Sequence, residues 1–212
     1  MSENILVSTS DGIATVTLNR PGQRNAMNFD MWQDFGRICL ELDSDPTVRV
    51  VVLTGAGDEA FSAGADIKEF DQKRSNSKLA LEWAHAIDAA LHGLESLRKP
   101  SIALIKGYCI GGGCELACFA DIRICSENAS FGVPAARLGI SIGYKEMRRL
   151  IELVGLGNVS YILLSARTLG ASDALRMGLV NQVVPMQEID EYTSKLASGI
   201  ASLAPLSHQD NK

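Results

Sequence analysis

The 212-residue chain lacks several features that would assign it at once to a class of protein. Its formal net charge is −5, whereas a dedicated nucleic-acid binder needs a basic surface that neutralises many phosphates. No apolar run approaches the roughly 18 residues of a membrane span. The N-terminal residues MSENILVSTSDG contain no basic segment followed by a long apolar stretch. We therefore expect a cytoplasmic protein that binds neither nucleic acid nor membrane.

The chain is also poor in arrangements that hold metal ions. Its five cysteines form no pair of CxxC clips, and its three histidines are scattered at positions 85, 92 and 208. Cys114 and Cys118 are four residues apart and could share a helix face, but no completing ligands lie near them in the sequence. We expect buried free thiols rather than a zinc site.

The composition is that of an ordinary globular domain, with 46% hydrophobic and 21% charged residues. Two β-branched runs separated by Asp11-Gly12 predict a hairpin, and Asn28 precedes an amphipathic helix that should end near Asp45-Pro46. Further strands are predicted at 48–54, 101–106, 121–125 and 179–184. Further helices are predicted at 79–97, 145–153, 158–165, 172–177 and 186–203, and residues 111–120 are predicted to form a glycine-rich turn that leads into a short helix. This alternation indicates an α/β fold without fixing its topology.

Two glycine-rich segments follow buried strands, where α/β proteins usually bind ligands. They are Phe61-Ser-Ala-Gly-Ala-Asp-Ile67 and Gly107-Tyr-Cys-Ile-Gly-Gly-Gly-Cys-Glu115. Small residues let a ligand carbonyl approach main-chain N–H groups, and the start of a helix favours a developing oxyanion. Either segment alone could be a simple turn, but the two in this order are more specific.

The stretches FSAGADIKEF and KGYCIGGGCELACFADIRI resemble the two signature segments of the enoyl-CoA hydratase/isomerase (crotonase) superfamily. The similarity extends from the opening hairpin through NRPGQRNAMN to ALRMGLVNQVV, nearly the whole chain. It implies a spiral of ββα units, an acyl-CoA thioester as substrate, no cofactor beyond its coenzyme A, and assembly as a homotrimer or a hexamer built as a dimer of trimers.

The resemblance also implies site residues. The main-chain N–H groups of Ala65 and Gly112 would form an oxyanion hole, with a contribution on the order of 3 kcal/mol per donor. Glu115 would transfer a proton, although a first-turn glutamate can also simply favour the helix dipole. Arg24, Ala63 and Lys68 would bind the CoA portion of the substrate. Asp66 is expected to hold its loop or cap the next helix, and His85 and His92 to be exposed or to pack between helices.

One departure from the family pattern bears on the reaction. In the segment resembling F-G-x-P-E, this chain has Phe131-Gly-Val-Pro-Ala135, so the second glutamate of hydratases is replaced by alanine. Tyr144 and Glu146 are candidates for an auxiliary role, although Lys145 and Glu146 could equally be solvated first-turn charges. Arg137 could pair with a substrate carboxylate or with surface acids.

Three functional hypotheses remain open from the sequence. The leading one is an enoyl-CoA hydratase of fatty acid metabolism, closely followed by an enoyl-CoA double-bond isomerase, since moving one proton can use a single base. The second is a catalytically weak acyl-CoA binder or scaffold. The third, a nucleotide-phosphate enzyme, is disfavoured because no GxxxxGK[ST] pattern is present.

The C-terminal part of the sequence is short compared with the resembled family, whose members generally continue into helices that pack over the active site. We expect one crotonase-like domain over 1–212, with a spiral core over about 1–185 and the start of a C-terminal helical region over 186–212. The lid is expected to be either absent or outside this sequence.

Overall fold

The computed structural model describes residues 3–73 and 75–212, which form ten strands and eight helices. The strands are β1 (Ile5–Ser10), β2 (Ile13–Leu18), β3 (Val50–Gly55), β4 (Ala60–Ser62), β5 (Ser101–Ile105), β6 (Tyr108–Ile110), β7 (Ile122–Ser126), β8 (Ser130–Gly132), β9 (Leu169–Gly170) and β10 (Gln182–Val184). The helices are α1 (Phe29–Ser44), α2 (Phe70–Lys73), α3 (Ser77–Glu95), α4 (Gly112–Phe119), α5 (Tyr144–Ser165), α6 (Ala171–Met177), α7 (Ile189–Ala201) and α8 (Pro205–Asn211).

The strands divide between two sheets. The larger sheet has the order β1-β2-β3-β5-β7-β10 and is parallel except for the β1–β2 hairpin. The smaller has the order β4-β6-β8-β9 and is parallel except for β8–β9. The pairs β3–β4, β5–β6 and β7–β8 each give one strand to each sheet before a helical segment follows. This repetition is the ββα spiral that the family resemblance implies.

The larger sheet is covered on both faces, as the continuous apolar run in β3 predicts. Val51 and Leu53 point into the main core beneath α1, α3 and α4, whereas Val50 and Val52 join a second cluster with Ile189 and other residues of α7. The prediction of a strand buried from both sides is therefore confirmed.

Helices α1 and α3 pack closely against each other. Asn28 caps α1, because its side chain accepts a hydrogen bond from the N–H of Met31 at 2.9 Å. The two helices approach closely where Gly36 and Gly93 meet: a Cβ added to Gly93 would lie 3.3 Å from the Cα of Gly36. This packing fixes Trp32 and Trp83, one from each helix, beside the functional cavity described below.

Several boundaries differ from the sequence-based predictions. The four strands of the smaller sheet were not predicted, because they are only two or three residues long. The strand predicted over 179–184 is confined to β10, and the helix predicted over 186–203 begins later and is followed by α8, which starts at Pro205. The two helices predicted within 145–165 form α5, whose helical geometry is interrupted at Gly155 (φ 76°, ψ 157°).

The cysteines lie in the environment that the sequence predicts. All five cysteines are buried free thiols, as predicted: Cys39, Cys109, Cys114, Cys118 and Cys125. Across residues 3–73 and 75–212, no helix is long and apolar enough to cross a membrane.

Candidate active site

The structure brings the two glycine-rich segments into contact. A Cβ added to Gly64 would lie 3.0 Å from the main-chain nitrogen of Gly112, and a Cβ added to Gly112 would lie 3.5 Å from the nitrogen of Ala65. Both segments border one cavity of about 320 Å³. We call residues 63–65 and 111–115 the amide wall of this cavity. The main chains of Ala65 and Gly112 are therefore neighbours, although the two residues are 47 positions apart in the sequence.

The first half of the amide wall is held by the loop before α1. Met27 donates a hydrogen bond to the carbonyl of Gly64 at 2.8 Å, and its own carbonyl accepts one from Asp66 at 2.9 Å. This short parallel bridge does not use the N–H of Ala65, which lies between the two bonded groups. Asp66 also forms an ion pair with Arg20 at 2.9 Å and accepts from the N–H of Lys68, as its predicted loop-holding and capping role requires.

The second half of the amide wall is the start of α4. Gly111 (φ 55°, ψ −128°) precedes the helix and donates to the carbonyl of Gly132 at 2.7 Å, which fixes the turn to β8. The first intrahelical bond runs from Glu115 to Gly111, so the N–H of Gly112 has no acceptor within the helix. Within the described residues, neither Ala65 nor Gly112 donates its N–H to a main-chain or side-chain acceptor.

Close packing leaves little freedom for these two segments to separate. A Cβ on Gly113 would lie 2.6 Å from the carbonyl oxygen of Ser62, so α4 packs directly on the end of β4. Ser62 is fully buried and its hydroxyl donates to the carbonyl of Asn25 while accepting from the N–H of Gly64. At the other end of α4, the guanidinium of Arg149 donates to the carbonyl of Cys118 at 2.8 Å. The amide wall is thus positioned mainly by main-chain contacts.

The remaining cavity surface is largely apolar. Aromatic and aliphatic side chains come from α1, the turn Ile67–Glu69, α2, α3 and the segment between β8 and α5: Trp32, Ile67, Phe70, Trp83, Ile87, Val133, Leu138, Ile140 and Ile142. Trp83 stacks on Phe29 with ring centroids 5.7 Å apart and meets Phe70 edge-on at 5.6 Å. Such a lining suits an acyl chain and lowers the local dielectric, which strengthens electrostatic interactions within the cavity.

Glu115 projects from the amide wall into this apolar surrounding. Part of its surface is exposed to the cavity, while protein atoms crowd the rest of the carboxyl group. Burial, assisted by repulsion from Glu146, raises the pKa of Glu115 from 4.5 to about 8. No hydrogen bond or ion pair from the described residues reaches this carboxyl group. A carboxyl group with such a pKa is partly protonated near neutral pH and can give or take a proton.

The segment 134–146 forms the second side of the cavity, and we call it the loop wall. Ala135 lines the cavity there, so the alanine faces the site rather than solvent alone. Glu146 lines the cavity as well and is 6% exposed. Its Oε2 is buried without a hydrogen-bond partner within the described residues. Burial raises the pKa of Glu146 above its usual value, and the nearby Asp88 carboxylate adds to the effect.

Other candidates from the sequence lie outside the cavity. Tyr144 is 82% exposed and is not among the described residues that line the cavity, so the structure gives it no contact with the site. Lys145 lies near the surface, where it forms an ion pair with Asp88 at 3.3 Å. The neighbouring Glu146 instead lines the cavity. Arg137 is exposed in the turn Ala135–Leu138. His85 and His92 are exposed on α3, as expected.

The residues expected to bind CoA lie at or near the amide wall. Ala63 lines the cavity and donates its N–H to the carbonyl of Arg24 at 2.9 Å. Arg24 is exposed, pairs with Glu59 at 2.7 Å and stacks its guanidinium over Tyr108 at 4.8 Å. Lys68 is exposed in the turn after Asp66. Arg24 and Ala63 are thus adjacent, while Lys68 lies three residues beyond Ala65.

Sequence reasoning missed much of the acyl-side lining. Trp32 lies within the amphipathic helix predicted after Asn28 and Trp83 within the predicted 79–97 helix, but neither is predicted as a site residue. Asp88, five residues beyond Trp83 on the same helix, also lines the cavity and was not predicted as a site residue. The available signal was helical spacing, because positions 80, 83, 84, 87 and 88 share one face of α3 and all line the cavity.

Comparison with known proteins places these features in a known context. The family model described as enoyl-CoA hydratase/isomerase matches residues 8–212. The chain is 39% identical over 203 residues to a short-chain-enoyl-CoA hydratase of Clostridium acetobutylicum, covering 96% of this chain and 77% of that protein. It is 35% identical over 206 residues to carnitinyl-CoA dehydratase of Escherichia coli K12, covering 97% and 77% of the two chains.

Solved structures give the same result for the fold. An enoyl-CoA hydratase/carnithine racemase from Magnetospirillum magneticum superposes with a TM-score of 0.96 at 36% identity, covering 100% of this chain and 79% of that one. An enoyl-CoA hydratase from Bacillus anthracis superposes with a TM-score of 0.92 at 33% identity, covering 98% and 80%. The expected crotonase-like α/β fold is therefore confirmed.

Proposed function

Because the chain belongs to the enoyl-CoA hydratase/isomerase family, we propose that it binds an enoyl-CoA thioester and stabilises its enolate through the main-chain N–H groups of Ala65 and Gly112. The observation that carries this proposal is the contact between the two halves of the amide wall at an apolar cavity. Two free N–H groups converging on the thioester oxygen would hold the negative charge that develops when a proton leaves or a nucleophile adds.

We assign proton transfer to Glu115. It lies three residues beyond Gly112 on α4, so a thioester oxygen held by the amide wall keeps the adjacent carbon atoms near its carboxyl group. Its pKa of about 8 supports this role, because the protonated and ionised forms are both accessible at neutral pH. The cavity's apolar lining maintains that pKa by disfavouring the charged form.

Hydration of an enoyl-CoA is the leading reaction, with double-bond isomerisation as the second candidate. Ala135 favours the second, because it leaves the position of the second family glutamate without a carboxyl group. The catalytically weak binder is less well supported, since a binder would not need a carboxyl group with a pKa raised to about 8 in its acyl cavity.

The test compares wild type, Glu115→Gln and the control Glu152→Gln in assays of crotonyl-CoA hydration and 3-butenoyl-CoA isomerisation. Glu152 lies on the surface of α5 and is not among the described residues lining the cavity. We expect Glu115→Gln to lower kcat by about 100- to 10,000-fold, with little change in Glu152→Gln. Binding of crotonyl-CoA without turnover of either ester would support the binder, and preferential binding of ATP would support a nucleotide enzyme.

We further propose that Arg24, Ala63 and Lys68 contact the CoA portion of the substrate. The two cations would face its phosphates, and Ala63 would let the main chain approach the thioester arm. The proposed steps use only acid–base groups and main-chain donors of the protein, so the coenzyme A carried by the substrate is the sole coenzyme they require.

We also propose that the chain acts as a homotrimer or a dimer of trimers, in cytoplasmic fatty acid metabolism. The second half of α5 supports an assembly, because it presents exposed apolar side chains: Leu156 is 66%, Tyr161 45% and Leu164 83% exposed. Light scattering coupled to size-exclusion chromatography should give a mass of three or six chains. A monomer at micromolar concentration would contradict this proposal.

A further inference from the structure

Glu146 in the loop wall occupies a position typical of an active-site carboxylate, although the family pattern does not assign it a function. Glu146 belongs to the first turn of α5, where charged side chains usually reach solvent. Here it is 6% exposed and lines the same cavity as Glu115 and Ala135. Its Oε2 has no partner in the described part of the chain.

A buried carboxylate oxygen without a hydrogen bond is costly for the folded protein. The carboxyl group of Glu146 folds back over Gly143. A Cβ added to Gly143 would lie 2.3 Å from Oε2 and 3.1 Å from Oε1. Only glycine at residue 143 leaves room for the carboxyl group of Glu146 to lie there. Oε2 is closed to solvent where it lies against Gly143, but the side chain borders the cavity, so a rotation of the carboxyl group away from Gly143 would let water or substrate supply the missing hydrogen bond.

We infer that Glu146 is the second carboxylate of the active site and activates the attacking water, replacing the glutamate that is absent at position 135. This inference rests on the proposed function, because it needs a thioester held by the amide wall. The mutual influence of the two carboxyl groups supports it: the charge of Glu146 helps to raise the pKa of Glu115. Asp88 on α3 and Lys145 on α5 are the other charged groups acting on Glu146.

The hydration step can be written with all atoms accounted for. Ionised Glu146 takes a proton from water, whose oxygen forms a bond to carbon 3 of the enoyl thioester. The π electrons between carbons 2 and 3 form a double bond between carbons 1 and 2, and the carbonyl π electrons move to the thioester oxygen, where the N–H groups of Ala65 and Gly112 hold the enolate. Protonated Glu115 then gives its proton to carbon 2, and the proton on Glu146 returns to Glu115 through solvent. The net change is addition of one water molecule.

A purely structural role for Glu146 makes different predictions. A glutamate three residues into a helix often caps its N-terminus, and glutamine serves in the same capping motif. The substitution Glu146→Gln therefore preserves a cap while removing the charge and the proton acceptor. If capping were the only role, activity would follow stability and the glutamine variant would retain both.

The test compares wild type, Glu146→Gln, Glu146→Asp and the matched control Glu152→Gln, in hydration of crotonyl-CoA and isomerisation of 3-butenoyl-CoA. We expect Glu146→Gln to lower kcat for hydration by about 100-fold or more with KM within about threefold. The ratio of hydration to isomerisation should fall at least about tenfold, since isomerisation needs no water activation. Glu146→Asp should recover part of the hydration rate.

Two further readouts separate catalysis from structure. The acidic limb of the isomerisation rate should move to lower pH in Glu146→Gln, because Glu115 must be ionised to take the proton and its pKa falls when it loses a repelling neighbour. The double variant Ala135→Glu/Glu146→Gln should regain hydration relative to Glu146→Gln, since it returns a carboxylate to the same cavity.

The outcomes distinguish this inference from the proposed function. Hydration by Glu146→Gln within about threefold of wild type would overturn the inference, as would a wild type that isomerises 3-butenoyl-CoA but does not hydrate crotonyl-CoA. In both cases the enolate-stabilising function would stand. Failure of the wild type to turn over either ester would overturn the proposed function and the inference with it.

Discussion

The two sides of the cavity obtain their chemical groups in different ways. The amide wall uses main-chain N–H groups, held by hydrogen bonds such as Met27 to Gly64 and by the contact of Gly113 with Ser62. The loop wall uses a side chain, Glu146, which folds over Gly143. The amide wall also matches the family's signature segments, whereas the loop wall departs from them at Ala135. Main-chain donors depend on fixed backbone geometry, whereas a carboxyl group can reach the same space from more than one position.

The amide wall should therefore be the more fragile of the two. Gly64 adopts a left-handed conformation (φ 95°), and a Cβ there would lie 2.7 Å from the carbonyl oxygen of Ile110 and 3.0 Å from the nitrogen of Gly112. The substitution Gly64→Ala should push the two N–H groups apart and lower kcat/KM for crotonyl-CoA by about 100- to 1000-fold, as expected for loss of an oxyanion donor. Steady-state kinetics on folded protein measures this effect.

The matched control is Gly199→Ala on α7. A Cβ on Gly199 meets no atom within 4 Å, and alanine is the better helix former, so activity should be unchanged and stability equal or slightly higher. Retention of activity by Gly64→Ala within about threefold of wild type would mean that the spacing of the amide wall does not limit the reaction.

The pH dependence of stability reports on Glu115 directly. Its pKa is about 8 in the folded protein against a usual value of 4.5, so the folded state holds this proton more tightly than the unfolded state. The stability it contributes is fully present below about pH 4.5 and is lost as pH rises through about 8. Glu115→Gln has no such loss, so its stability relative to wild type should increase by on the order of 3 kcal/mol between pH 5 and pH 8.5.

Urea unfolding of both proteins across this pH range measures the difference, and groups common to both cancel. The same measurement applies to the loop wall. The stability of Glu146→Gln relative to wild type should also increase as pH rises, because burial raises the pKa of Glu146 too. Parallel stability curves for wild type and Glu115→Gln would show that the cavity does not hold a protonated carboxyl group.

The smallest effects are expected at the CoA end, outside both walls. Arg24→Ala and Lys68→Ala should each raise KM for crotonyl-CoA by about two- to fivefold without lowering kcat, because exposed charges contribute about 1 kcal/mol or less. The increase should shrink as salt concentration rises. Lys78→Ala is the control, since Lys78 is 85% exposed on α3. Equal KM values for all three variants would remove these cations from the proposed CoA site.

The sequence predicted main-chain features of this protein better than side-chain placement. The segments around Ala65 and Gly112 were identified because glycine-rich turns after buried strands have a strong local signature. The smaller sheet left no such signature, since strands such as Ser130–Gly132 are too short to show a period of two. Glu146 was named as a candidate, but burial of a first-turn charge depends on Gly143 and on the packing of α3, α4 and α5, which periodicity does not encode.

The central claim concerns two main-chain nitrogens and one oxygen, and a crystal structure with bound butyryl-CoA tests it most directly. This saturated thioester has no double bond to hydrate and should remain intact in the site. The account predicts its carbonyl oxygen about 3 Å from the nitrogens of both Ala65 and Gly112, with the acyl chain between Glu115 and Glu146. A thioester oxygen bound by other groups, or by only one of these nitrogens, would contradict it.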